Sequence, residues 1–209
     1  MNTRICGPLS NILQALLILF VGLAPAGCAR SPEVQFYALD AQWQSSEGQE
    51  NDISNILAEV STPTLPSYVR RDEIVERLDD FRFKIHEHER WVTELDKLIR
   101  DFLVASLQAQ SSRVSFVTGS SKMADQATYR LDTFFSRFDI YHQNRIEVAF
   151  NWQITDLRGT IVNGPNSITS VEHLEDGSVN TMVLTLNSMM HRFSVEMAGR
   201  LDALARQME

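Results

Sequence analysis

Apolar and polar residues alternate most regularly in the segment 145–155. Every even-numbered position there is apolar, namely Ile146, Val148, Phe150, Trp152 and Ile154. A period of two is typical of a strand with one buried face. The preceding segment, 128–142, is also predicted to be a strand. Its apolar positions change parity between Leu131 and Phe134, which predicts a β-bulge at residues 133–135.

A third long strand is predicted at residues 160–171, after a turn at 157–159, so the three strands form a meander. Pro165 places part of this strand at an edge or in a break, because proline cannot donate to a strand ladder. In the segment 81–86 the odd-numbered residues are apolar and the even-numbered ones polar, which indicates a half-buried strand. Further short strands are predicted at 36–39, 53–60 and 114–117. A polar loop is predicted at 42–52.

The apolar spacing changes to that of a helix in two places. The first apolar stripe is formed by Trp91, Leu95, Leu98 and Phe102, and this helix is predicted to end at Ser111. The second helix follows a break at residues 176–178, and its stripe is formed by Leu186, Met190, Phe193, Met197, Leu201 and Leu204. The predicted fold class is therefore α+β: an antiparallel β-sheet (meander) packed by two amphipathic helices in a single domain.

The N-terminal 27 residues have the pattern of a secretory signal. Arg4 precedes an apolar run at residues 12–23, which is shorter than the ~20 residues that a spanning helix needs. The motif Ala26-Gly27-Cys28 resembles the lipobox of bacterial lipoproteins, whose cysteine is lipidated and becomes the N-terminus. An ordinary signal with an incidental cysteine is the alternative, but a free cysteine is unusual in an oxidising compartment. We predict a signal peptide at 1–27, a lipidated tether at 28–35 and a body at 36–209.

Charge and cysteine content exclude several classes of function. Of the 209 residues, 19 are Lys or Arg and 27 are Asp or Glu, which gives a net charge of −8. Nucleic-acid binding is disfavoured, because phosphate neutralisation needs clustered basic residues. Cys6 would leave with the signal and Cys28 would carry the lipid, so no thiol would remain for a disulfide, a metal or a nucleophile. Membrane attachment would depend on acyl chains such as palmitate, of which bacterial lipoproteins as a class carry three.

Candidate catalytic and metal-binding motifs are weak. His86 and His88 would share one face of a strand, but no further ligands follow at a recognisable spacing, and a solvated polar face is the preferred interpretation. The segment 119–122 lacks the upstream glycine of a phosphate loop. The pair Asp79-Asp80 is interpreted as a solvated turn rather than a catalytic dyad. We predict no catalytic residue, no cofactor and no metal site.

Three short motifs together resemble a known family. Residues 36–39 read FYAL, where that family has an early F-Y-x-L, and residues 89–91 read ERW, similar to its R-W before a helix. Residues 65–77 read LPSYVRRDEIVER, close to its L-P-x-Y-L-D-R-P-x-I-V-x-R. On these motifs the chain resembles the ABC-type transport auxiliary lipoproteins, the PqiC-like group, over nearly the whole predicted body. Val69, Arg70 and Glu73 depart from the pattern.

The resemblance implies a function without catalysis. Members of the group are components of MCE-type systems that move lipids or other hydrophobic compounds between the two membranes of a Gram-negative cell. By this resemblance the chain is expected to be an outer-membrane lipoprotein that faces the periplasm, docks to an MCE-domain protein and could form a homo-oligomer. Ala29, directly after the predicted lipidated cysteine, is compatible with outer-membrane sorting. The alternative is a structural or assembly lipoprotein that binds another envelope complex or the cell wall.

The proline-marked segment 65–77 is the predicted partner contact. It carries the most distinctive residues of the motif, and proline constrains its backbone. The predicted contact residues are Leu65, Pro66, Tyr68, Arg71, Ile74 and Arg77. A rigid crossover that packs on the sheet is the competing interpretation of the same segment.

Overall fold

The computed structural model describes residues 32–41, 56–142 and 145–208. The predicted signal peptide, residues 28–31 of the predicted tether with Cys28, and the predicted loop at 42–52 lie outside the described residues. The described body is built from eight strands and two helices: β1 (Gln35–Tyr37), β2 (Ile56–Val60), β3 (Glu73–Arg77), β4 (Phe83–Trp91), α1 (Leu95–Gln110), β5 (Val114–Thr118), β6 (Tyr129–Tyr141), β7 (Arg145–Asp156), β8 (Ile161–His173) and α2 (Val179–Met208).

The three long strands β6, β7 and β8 form the predicted antiparallel meander. The even-numbered residues of β7 from Ile146 to Ile154 are all buried, as their alternation predicts. The bulge in β6 lies between Phe135 and Arg137, just beyond the predicted residues 133–135. Phe135 is therefore buried, whereas Phe134 points to solvent.

The sheet as a whole is mixed rather than wholly antiparallel. One edge of β6 pairs with β7, and the other edge is shared by two parallel strands, with Ala58 of β2 opposite Tyr129 and Arg77 of β3 opposite Tyr141. On the outer side of β2 lies β5. On the outer side of β3 lies β4, and β1 pairs with the other edge of β4. Parallel neighbours need a crossover connection, and the connection from β2 to its parallel neighbour β5 includes α1.

Both helices bury the stripes that their sequence predicts. α1 buries Leu95, Leu98 and Phe102, and α2 buries Leu186, Met190 and Phe193 against the sheet. The ring of Phe193 meets that of Phe150 edge to face, with centroids 5.3 Å apart. α2 begins after Ser178, whose Oγ accepts the backbone N–H of Thr181 at 3.2 Å and so caps the helix. None of the helices in the described ranges is long and apolar enough to cross a bilayer.

Three local predictions differ from the structure. Trp91 ends β4 instead of starting α1, because its N–H donates to the carbonyl of Asp72 at 2.8 Å. Strand β3 was not predicted from its sequence. Phe81 lies in the β3–β4 turn and is 91% exposed, and Phe83 and Ile85 are also exposed, so the segment 81–86 is not half-buried.

Candidate partner-contact surface

The six predicted contact residues divide into buried and accessible ones. Leu65 and Ile74 belong to the hydrophobic core, so their side chains cannot meet a partner, and this part of the prediction is wrong. They are buried because the segment runs along β6 and pairs with it at Thr64. For Leu65 and Ile74, the competing interpretation of a crossover that packs on the sheet is the correct one. The other four, among them Tyr68 and Arg71, retain some exposure.

Tyr68 and Arg77 converge on Asp139, a buried carboxylate of β6. Asp139 is 4% exposed and lies on the face of the sheet opposite the helices, because the bulge reverses the parity of β6. Its Oδ1 accepts the hydroxyl of Tyr68 at 2.8 Å and lies 3.0 Å from Nε of Arg77. Nε of Arg137 is 3.9 Å from Oδ2. One carboxylate therefore joins the proline-marked segment to two strands.

Aromatic rings surround the guanidinium of Arg77. Its Cζ lies 4.4 Å from the ring centroid of Phe83 and 5.4 Å from that of Tyr68. The two rings are 5.0 Å apart, centroid to centroid. Further along the same face, Cζ of Arg145 lies 4.1 Å from the centroid of Tyr141. These distances are within the ~6 Å range of cation–π attraction.

We call this group the outer arginine–aromatic surface. It consists of Tyr68, Arg77, Phe83, Arg137, Tyr141 and Arg145, with the carboxylates Asp139 and Glu147. Glu147 pairs with Arg137 at 2.8 Å and with Arg145 at 3.8 Å. The surface is therefore internally paired and rigid, and it presents arginine and aromatic groups to solvent.

The electrostatics of the surface favour fixed protonation states. Burial, together with the hydrogen bond to Asp139, raises the pKa of Tyr68, so its hydroxyl stays a donor at neutral pH. Burial alone would lower the pKa of Arg77, but its bond and charge interaction with Asp139 outweigh burial and raise it. Arg77 therefore remains a cation inside this cluster.

A second buried carboxylate, Glu76, lies on the opposite side of β3. Its oxygens contact Nε2 of His86 at 2.9 Å, Nδ1 of His142 at 2.8 Å and Nζ of Lys84 at 3.3 Å. Burial would raise the pKa of Glu76, but these three partners outweigh burial and lower it. His86 is thus engaged in a structural pair, whereas His88 is exposed. Across the described ranges, no group of three His, Cys, Asp or Glu side chains is arranged to hold a metal ion.

Sequence reasoning missed Asp139, Arg137 and Arg145. Asp139 lies between two core residues, Phe138 and Ile140. At such a position of an alternating strand, the pattern predicts that an acidic side chain faces solvent. Its burial depends on Tyr68 and Arg77, which precede it by many residues. No local pattern contains that information.

The family model of the ABC-type transport auxiliary lipoprotein component matches residues 37–198. The chain belongs to this family. The matched range includes strands β2 to β8, α1 and most of α2, and with them the outer arginine–aromatic surface. The family is described by a transport role and not by an enzymatic reaction.

Individual relatives are distant. The intermembrane transport lipoprotein PqiC of Escherichia coli (strain K12) is 23% identical over 194 residues, which cover 92% of this chain and 100% of PqiC. A crystal structure of protein XCC0632 from Xanthomonas campestris has a TM-score of 0.66 at 12% identity and covers 83% of this chain and 98% of its own. A crystal structure of an uncharacterized protein has a TM-score of 0.64 at 18% identity, with 81% and 99% covered. These structures support the α+β fold.

Proposed function

We propose that this lipoprotein-family chain is an auxiliary component of an intermembrane transport system for lipids or other hydrophobic compounds. It acts by docking to an MCE-domain protein, without catalysis, from the periplasmic side of the outer membrane. The observation that carries the proposal is the similarity to the PqiC lipoprotein over the whole length of that relative. The family match over residues 37–198 supports it independently.

The anchor in this proposal is a lipid on Cys28. Cleavage after residue 27 would leave a tether at 28–35 and a body at 36–209. Metabolic labelling with palmitate tests this step directly. We expect label in the wild-type chain and none in Cys28→Ala, whose chain should also keep its signal peptide. Equal labelling of both chains would refute the assignment.

The docking face in this proposal is the outer arginine–aromatic surface together with the neighbouring Arg71. Arginine and aromatic side chains are enriched at the centres of protein interfaces. Ion pairs with Asp139 and Glu147 hold the arginines of the surface in place, so a partner meets a preorganised surface and loses less conformational entropy on binding. Leu65 and Ile74 support this face from the core instead of contacting the partner.

Site-specific crosslinking in cells tests the docking face. A photoreactive amino acid is placed at Arg71 or at Arg137, and in a matched control at Val195, which lies on α2 on the other side of the sheet and is about as exposed as Arg137. We expect the first two positions to capture an MCE-domain protein, identified by mass spectrometry, and the control not to. Capture by Val195 alone would refute this face as the docking site. Capture of only cell-wall or assembly factors would refute the transport role itself.

A further inference from the structure

The turn between β3 and β4 presents a phenylalanine to solvent on a rigid support. Phe81 is 91% exposed at the tip of this hairpin. Oδ1 of Asp79 accepts the backbone N–H of Phe81 at 3.0 Å and that of Arg82 at 2.9 Å. The N–H of Leu78 donates to the carbonyl of Arg82 at 2.9 Å and closes the turn. The backbone that carries the exposed ring is therefore held in a defined turn.

Phe81 is not an isolated apolar residue on this strand. Phe83 and Ile85 follow at a spacing of two, and both are exposed as well. Scattered apolar residues are normal on protein surfaces, but a contiguous group usually marks an interaction site. Of the charged residues at the tip, Asp79 and Arg82 pair with each other at 2.7 Å, and Asp80, directly before Phe81, is exposed.

The N-terminal end of β1 points toward the same end of the sheet. β1 runs parallel to β4, with Gln35 opposite Glu89 and Tyr37 opposite Trp91. Traced backward from Gln35, the chain therefore heads toward Phe83 and the hairpin tip.

Chain lengths match along this direction. Phe81 lies about seven residues from the level of Val34 along β4, or at most ~20–25 Å at strand spacing, and the register shift of β4 between His86 and Arg90 shortens this distance. Cys28 precedes Val34 by about six residues, which span at most ~20 Å when extended. The tip and Cys28 can therefore lie at a similar distance from the body.

We propose that the Phe81 tip of the β3–β4 hairpin inserts into the interface of the lipid bilayer that holds the N-terminal anchor. This inference rests on the proposed lipidation of Cys28. Phenylalanine is among the apolar residues that peripheral segments bury at the boundary between lipid headgroups and acyl chains. A weak contact suffices here, because the anchor makes insertion an intramolecular step with a high effective concentration. Two points of attachment then fix the orientation of the body, so that the opposite end of the sheet points away from the bilayer.

Lipidated full-length protein in phosphatidylcholine vesicles allows a direct test. No other thiol remains in the processed chain, so Phe81→Cys offers a single site for the fluorophore NBD. The matched control is Leu157→Cys. Leu157 is 73% exposed in the β7–β8 turn and is separated from the hairpin end by the 12 residues of β7, or ~40 Å. We expect a blue shift and several-fold stronger quenching by spin-labelled lipid at position 81 than at position 157.

A second measurement keeps the native ring in place. Wild-type lipidated protein is irradiated in vesicles that contain phosphatidylcholine with a diazirine in its acyl chain, and then digested with trypsin. We expect lipid adducts on the peptide 78–82, which contains Phe81, and none on the peptide 146–158, which contains Leu157. Vesicle flotation and the intact mass report the anchor separately. Lipidated, floating protein with equal signals at both positions would overturn the hairpin contact alone, whereas a chain without lipid would overturn both proposals.

Discussion

Replacing Asp139 with asparagine removes the charge that holds Arg77 inside the outer arginine–aromatic surface. Asp139 is 4% exposed and Arg77 16%, with 3.0 Å between Oδ1 and Nε. Breaking a buried ion pair leaves an uncompensated charge and costs ~3–5 kcal/mol. Because Arg77 can regain some water and keeps its aromatic neighbours, we expect Asp139→Asn to lower the free energy of unfolding by ~2–4 kcal/mol.

The matched control is Asp101→Asn, the same substitution at an exposed carboxylate. Asp101 lies 2.7 Å from Nη2 of Arg100, and the two arginines are similarly exposed at 17% and 16%, but the side chain of Asp101 is 58% exposed. Ion pairs of a solvent-exposed carboxylate contribute ~0–1 kcal/mol. Urea unfolding followed by circular dichroism measures both variants, and an unchanged m-value shows that the same surface is exposed on unfolding.

A double-mutant cycle assigns the effect to the cluster. Tyr68→Phe removes one hydrogen bond to the carboxylate and should cost ~1–2 kcal/mol. Because both changes act on Asp139, the double variant should cost less than their sum by ~1 kcal/mol. If Asp139→Asn destabilises the protein no more than Asp101→Asn, burial does not control this ion pair and the reasoning is wrong.

Two further substitutions probe a buried acid and a tight turn. The pKa of Glu76 is held below its ordinary 4.5, so its contribution is present above that pH and is lost as the pH falls through the lower, folded pKa. Urea midpoints measured from neutral pH to ~pH 3 should therefore fall less steeply for Glu76→Gln than for the wild type, and equal slopes would contradict this. Gly164 has φ +105°, and a Cβ there would lie 2.9 Å from the carbonyl oxygen of Trp152, whereas Gly159 has φ +81° and open space around it. Gly164→Ala should thus lower the melting temperature more than Gly159→Ala does. Both substitutions place alanine in a left-handed conformation at a cost of ~1 kcal/mol, and Gly164→Ala adds a backbone clash. The reverse order of melting temperatures would disprove the argument.

Strands with one buried face were predictable because the signal is local. β7 alternates without interruption, and the parity change in β6 indicated its bulge to within about two residues. The same holds for the stripe of α2, whose Met190 and Phe193 are fully or almost fully buried. Here the environment of each residue follows from its nearest neighbours in sequence.

Elements whose environment comes from distant chain segments were not predictable. In β3, Ile74, Val75 and Glu76 are buried in succession, so no period of two is present. Trp91 fits the helical stripe of α1, but hydrogen bonding with Asp72 keeps it in a strand. The candidate site was missed for the same reason, since the burial of Asp139 depends on residues far away in sequence.

The shared edge of β6 has a consequence for the order of folding. In the described part of the sheet, β2 with β5, and β3 with β4 and β1, form two groups of strands that are joined through β6. Partners across the β2–β6 pair, such as Glu59 and Arg130, are 71 residues apart, so closing them carries a large loop entropy, whereas β6, β7 and β8 are joined by short turns. Non-local pairing of this kind slows folding. Both groups therefore lack their pairing partner until β6, which follows them in the chain, has formed, and their strand edges stay unpaired until then.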